Sequence, residues 1–268
     1  MHRTPRLRRL LAQLREADPR GAIRKKRRAL RMRHLVRLWD RVPEVRLPTP
    51  AAVNAHALLV VAWHVLARGG ELAPAVPASQ WSARLHPTRA DVEFHVSPQG
   101  RPSAIVWLRP LKKHGRARDM KVPQYIASFD GGGADAYEAL RRLFQFDPVP
   151  DDAMATTPLF RRWGTNGAAT HATVAWMRAL IRLRVRQLGY PDPHEWGAHS
   201  CRIGGATDLT STGRVSPLLL QAKGRWASDI GQIYSRMTRR AQLAASELMY
   251  AAKGRDLEEL LPDFTQAA

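Results

Sequence analysis

The chain has 268 residues, enough for one large domain or a domain with a partial neighbour, and its 44% hydrophobic and 25% charged residues suit a soluble globular protein. The charge is lopsided: 43 Lys and Arg against 23 Asp and Glu give a formal net charge of +20, which favours a polyanionic partner, nucleic acid first and an anionic membrane surface second. A single cysteine, Cys201, excludes an internal disulfide and a Cys-built zinc cage, and no apolar run approaches the ~18 residues that span a bilayer.

Residues 1–46 are dominated by arginine. Leu7, Leu10, Leu11 and Leu14 recur at helical spacing, so an amphipathic helix followed by a basic connector is expected, with Arg24, Lys25, Lys26, Arg27 and Arg28 at the centre. Arg3, Arg6, Arg8 and Arg9 break up any secretory apolar core, and the single cysteine is consistent with the reducing intracellular compartment expected for this chain. The basic run suits a nuclear address, a DNA-backbone contact or a solvated helix face.

Thr49 and Pro50 pair a helix cap with a first-turn proline, predicting a helix from 50 to about 68 that stops at Gly69 and Gly70. Val92, Phe94 and Val96 then alternate as a strand. A turn at 97–100, a second strand over 104–108, a loop over 112–119 and a third strand over 120–122 complete a small antiparallel sheet. Downstream, helices are expected over 135–146, 170–188 (stopped by Gly189 and Pro191), 198–212, 217–223, 228–236 and 238–252. The fold class is therefore mainly α with a small three-stranded antiparallel sheet.

Two motifs are set aside. His194 and His199 stand five residues apart, whereas a zinc helix needs two histidines four apart on one face, and Pro193 and Gly197 interrupt the helix. Gly131-Gly132-Gly133 lacks the Gly-Lys-Ser/Thr of a phosphate loop and reads as a flexible loop before a helix. No serine stands in a nucleophile elbow.

The C-terminal third carries the chemistry. His199-Ser200-Cys201-Arg202 is followed by Gly204, Gly205 and Ala206, then by Gly224-Arg225-Trp226 with Ser228 and Asp229, then by Tyr234-Ser235-Arg236. On a helix, His199 and Arg202 share a face and can converge on one point. This stretch resembles the tyrosine recombinase (integrase) family, and its wording is closest to the retrotransposon and Crypton-like branch. The resemblance implies more upstream. It implies an arginine with an acid three residues later at the end of an apolar helix, and Arg68 with Glu71 stands there. It also implies a lysine on the turn between the second and third strands, where Lys112 and Lys113 stand. The resemblance covers roughly residues 30–252.

Each of these residues alone has an ordinary reading, in a core, at a helix end or in solvent. Their order and spacing carry the signal. By the resemblance, Tyr234 is the nucleophile that forms a 3′-phosphotyrosine link to DNA. Arg68 and Arg202 clamp the phosphate, because a guanidinium is always charged and offers its donors in a planar fork. His199 donates to the phosphate or accepts the tyrosine proton. Trp226 supplies an indole N–H, and Lys112, rather than its neighbour Lys113, is the general acid for the departing 5′ oxygen. Glu71 orients Arg68, and Arg225 and Arg236 join Arg24, Lys25, Lys26, Arg27 and Arg28 as DNA contacts. Fixed cations replace metal in such a site, so no cofactor or metal is expected.

The family's separate helical core-binding domain has only residues 1–46 to occupy here. These read as a basic helical segment and linker, a partial remnant of that domain. The catalytic domain is expected over 47–254 and a tail over 255–268. Expected partners are double-stranded DNA and further copies of the chain assembled on it, with no membrane, as in strand exchange by a mobile element. Two other readings remain at this stage: a catalytically inactive DNA-binding remnant, and a nicking and closing activity like that of a type IB topoisomerase.

Overall fold

The structure, a computed structural model, describes residues 27–96, 100–109, 121–129, 132–212 and 215–225. The expected helices at 228–236 and 238–252, the tail, the first amphipathic helix and the 112–119 loop lie outside the described residues.

Helix α3 (Pro50–His64) is the axis of the molecule. Thr49 caps it by accepting from the Ala52 N–H at 3.4 Å, and every residue from Ala52 to His64 is buried. A helix that is apolar all round must be enclosed on all sides. Helices α1 (Met32–Arg41), α2 (Pro43–Arg46), α5 (Ala136–Phe146), α6 (Val174–Gln187) and α7 (His199–Ser211) enclose it, and α8 (Pro217–Gly224) packs on α7. Trp63 is wholly buried here, so Trp63→Ala would remove about 3–5 kcal/mol. Within residues 1–46, expected as a basic helical segment and linker, Met32, His34, Leu35 and Leu38 form the buried face of α1, and Leu30, Val42 and Val45 join the same core as α3.

Strands β1 (Val92–Val96), β2 (Pro102–Leu108) and β3 (Val122–Ala127) form the expected antiparallel sheet in the order β1-β2-β3. The register pairs Phe94 with Ala104 and Leu108 with Val122. The third strand is longer than the expected 120–122 because Pro123 does not end it. Pro123 stands opposite Trp107 on an edge strand, where a missing N–H is tolerated. Phe94 is 40% exposed, yet it packs edge-on against Tyr137 and Phe144 of α5, which fastens the sheet to that helix.

Two further expectations need correction. The helix over 170–188 begins only at Val174, where Thr173 caps it by accepting from Trp176 N–H. The residues before it form an unexpected hairpin, β4 (Arg161–Trp163) with β5 (Ala169–His171), whose turn places Gly167 at φ +74°. The helix expected to reach 68 stops at His64. Leu66 takes a left-handed φ of 49°, and the Ala67 N–H reaches back to the Ala62 carbonyl at 2.9 Å. Arg68 therefore opens the short helix α4 (Gly69–Leu72) instead of closing α3.

Candidate active site

Ending α3 early leaves the Val65 and Leu66 carbonyls without helical partners, and buried carbonyls need donors. Two arginines supply them. Arg202 of α7 donates from Nη1 to the Leu66 oxygen and from Nη2 to the Gly224 oxygen at the end of α8. Arg225 donates from Nη1 to the Val65 oxygen at 2.9 Å and to Gln124 Oε1 of β3 at 2.7 Å. Three distant stretches of sequence meet at this broken helix end.

Arg68 sits above them. The Glu71 carboxylate accepts from its backbone N–H at 2.8 Å and from its Nη1 at 3.2 Å, while Arg68 Nη2 reaches the Arg225 carbonyl at 3.4 Å. Glu71 also accepts from Arg225 Nη2 at 2.6 Å. Burial would raise this carboxyl, but Arg225, and then Arg68, outweigh it and hold it below the usual glutamate range. The Arg68 side chain keeps 29% of its surface in solvent, whereas that of Arg225 keeps 9%.

α7 delivers His199 and Arg202 to the same place. Its boundaries, His199 to Ser211, match the expected helix to within a residue. A Cβ on Gly69 would fall 2.7 Å from the Ala198 Cβ, so glycine there lets α4 and the start of α7 touch. His199 stands exposed at that start. Partial covering of its ring, then the nearby charges of Arg202 and Arg68, push its pKa below the ordinary value and keep it neutral. Next to Arg202, the Cys201 thiol is fully buried, and burial pushes it up to about 12, which makes it inert.

The structure thus brings together Arg68, Glu71, His199, Arg202 and Arg225. The Arg225 guanidinium, expected as a DNA contact, turns inward onto Glu71 and Gln124. Arg27 and Arg28 are exposed but engaged: Arg27 Nη1 donates to the His194 carbonyl at 2.7 Å, and Arg28 Nε pairs with Glu195 at 2.5 Å. Lys112, Lys113, Trp226, Tyr234, Arg236, Arg24, Lys25 and Lys26 lie outside the described residues.

One residue was missed. Lys223, on the last turn of α8, is 5% exposed and donates from Nζ to the Tyr125 carbonyl at 3.1 Å. Burial, then Arg225, lower its pKa to about 7. Its only signal was its spacing from Leu219 and Leu220, four and three residues earlier, which aligns it with an apolar stripe.

Among the described residues no group of His, Cys, Asp and Glu is arranged to hold a metal ion, and no helix is long and apolar enough to cross a membrane. No family model and no curated protein matches the chain. Among solved structures, the chain is similar to the XerH site-specific recombinase bound to palindromic difH substrate in a post-cleavage complex. The two are 15% identical with a TM-score of 0.47, over 87% of this chain and 52% of the other, so this chain spans about half the length of that recombinase.

Proposed function

We propose that the chain cuts and rejoins double-stranded DNA through a covalent link to Tyr234, as a tyrosine recombinase of the retrotransposon and Crypton-like kind. The observation that carries this reading is the convergence of Arg68, His199 and Arg202 from separate stretches onto one broken helix end. Arg68 and His199 reach solvent there, and Arg202 and Arg225 lie beneath. A phosphate against Arg68 meets a fixed positive field, the arrangement that stabilises a phosphorane-like transition state without reorganisation.

In this mechanism the Tyr234 oxygen attacks the phosphorus, and the bond from phosphorus to the 5′ oxygen breaks. His199, held neutral, takes the tyrosine proton, and Lys112 gives one to the departing 5′ oxygen. The 3′-phosphotyrosine conserves the bond energy, so the reverse attack reseals the strand. Copies of the chain assembled on paired sites would turn cutting into exchange, as a mobile element requires.

The test is a denaturing gel for protein fixed to labelled DNA, using a pool of nicked duplexes that trap the cut strand. Wild-type protein is expected to form an adduct that Tyr234→Phe lacks. Absence of an adduct, with salt-sensitive DNA binding equal in both proteins, would overturn the cutting reading and leave a DNA-binding protein. Plasmid relaxation by the monomer without paired sites would instead mark a nicking and closing enzyme.

A further inference from the structure

The helix that carries His199 and Arg202 is gripped from behind by the chain's own N-terminal segment. Residues 27–31, outside any helix or strand, pass across α7 and enter α1 at Met32, with Arg31 in extended conformation. Their contacts fall on residues 200, 204 and 208, which lie along one face of α7 at successive turns. The Leu30 N–H donates to the Ser200 carbonyl at 2.9 Å. A Cβ on Gly204 would fall 1.8 Å from the Leu30 oxygen, so only glycine lets the two backbones meet. Asp208 closes the grip: Oδ1 accepts from Arg31 Nε at 2.7 Å, and Oδ2 accepts from the Met32 N–H at 2.7 Å.

Asp208 does more than hold the segment. Its Oδ2 also accepts from Trp63 Nε1 at 3.0 Å, so one carboxylate ties the segment, α7 and the central helix α3 together. Asp208 and Arg31 are 2% and 8% exposed. The adjacent glycine has the matching task on the α3 side, since a Cβ on Gly205 would fall 2.2 Å from the Trp63 oxygen. α7 is therefore wedged between two backbones. At the other end, the Arg28 N–H donates to the Glu195 carbonyl at 3.1 Å, holding the turn that leads into His199.

We infer that the segment 27–31 is a strap, and that Asp208 is a positioning residue that fixes the helix bearing His199 and Arg202 at the height needed to meet Arg68. The inference rests on the proposed DNA-cutting reading for its consequence, but its structural half stands independently. A misplacement of about 1 Å at such a site costs on the order of a hundredfold in rate.

The experiment compares Arg31→Ala, Arg31→Lys and Asp208→Asn with the wild-type chain, and reads hydrogen exchange and adduct formation together. Exchange at the Leu30 and Met32 amides and at amides 203–207 of α7 is expected to rise about tenfold in Arg31→Ala, with α5 unchanged. Arg31→Lys, which can still pair with Asp208, is expected to recover most of that protection. On the nicked duplex pool, Arg31→Ala and Asp208→Asn are expected to form adduct about tenfold or more slowly, with DNA affinity within about twofold of wild type. α7 amides that stay protected when the strap amides open would overturn the inference, whatever the DNA result. An unchanged adduct rate with opened α7 amides would overturn the positioning role. If the wild-type chain makes no adduct, the DNA-cutting reading fails alone, and the exchange pattern still decides whether the strap holds α7. Should Asp208→Asn fail to fold, the two Arg31 variants carry the test.

Discussion

Two carboxylates in this protein each lie between two arginines, and the networks differ in what they leave for solvent. Asp147, at the end of α5, pairs with Arg89 at 2.5 Å and with Arg161 of β4, and accepts from Asn54 Nδ2 of α3 at 2.8 Å. The Arg89 side chain is 1% exposed and that of Arg161 21%. Glu71 has the same two-to-one arrangement, yet Arg68 keeps 29% exposure and is held only by longer contacts of 3.2 and 3.4 Å. The first network spends its charge on holding α3, β4 and α5 together. The second fixes one arginine, Arg225, and presents the other.

The largest effect is expected where charge is spent on structure. Asp147→Ala leaves Arg89 buried beside Arg161 without a counter-ion, and should remove about 3–5 kcal/mol of stability by urea unfolding. A loss below about 1 kcal/mol would mean that Arg89 finds another partner or water, and that the two networks are alike. Arg68→Ala should show the opposite signature. Adduct formation is expected to fall by about 10²–10³-fold, while stability changes by no more than about 1 kcal/mol. An equal loss of stability in both variants would erase the distinction.

Acid titration sharpens the comparison at the Glu71 end. Its carboxyl is held below the usual range in the folded chain, so the unfolded chain binds a proton first as pH falls. The resulting stability is present above the ordinary glutamate pKa and drains away as pH drops through it toward the folded value. Glu71→Gln should flatten that part of the stability curve and cost about 1–3 kcal/mol at neutral pH. Smallest of all, Arg28→Ala removes an ion pair whose arginine side chain is 47% exposed, and should cost at most about 1 kcal/mol, less in high salt.

Much of this was legible in sequence where local chemistry decides structure. Thr49 with Pro50 set the start of α3, and the ends of α7 fell within a residue of expectation. Helical spacing puts His199 and Arg202 on one face, and both lie on α7 with the Arg202 charge acting on His199. What escaped was decided by tertiary contacts. The apolar pattern of α3 continues through Val65, Leu66 and Ala67, so nothing local announces the left-handed Leu66 that frees two carbonyls for Arg202 and Arg225. Nothing local likewise announces that Arg225, expected as a DNA contact, meets Glu71 and Gln124. The β4–β5 hairpin was the exception, since Asn166-Gly167 is a recognisable turn signal that was overlooked. The third strand runs past the expected 120–122 because an edge position admits Pro123.

Cys201 adds a practical consequence. It is the chain's only thiol, it adjoins Arg202, and it is completely enclosed with its proton firmly held. A thiolate-seeking reagent in solution can reach it only during the moments when α7 lifts from its neighbours. The ratio of labelling rates in native and denatured protein is then a clock for that lifting, read without any engineered probe. Repeated with duplex DNA present, the same clock would test whether DNA stills α7, as the proposed function expects.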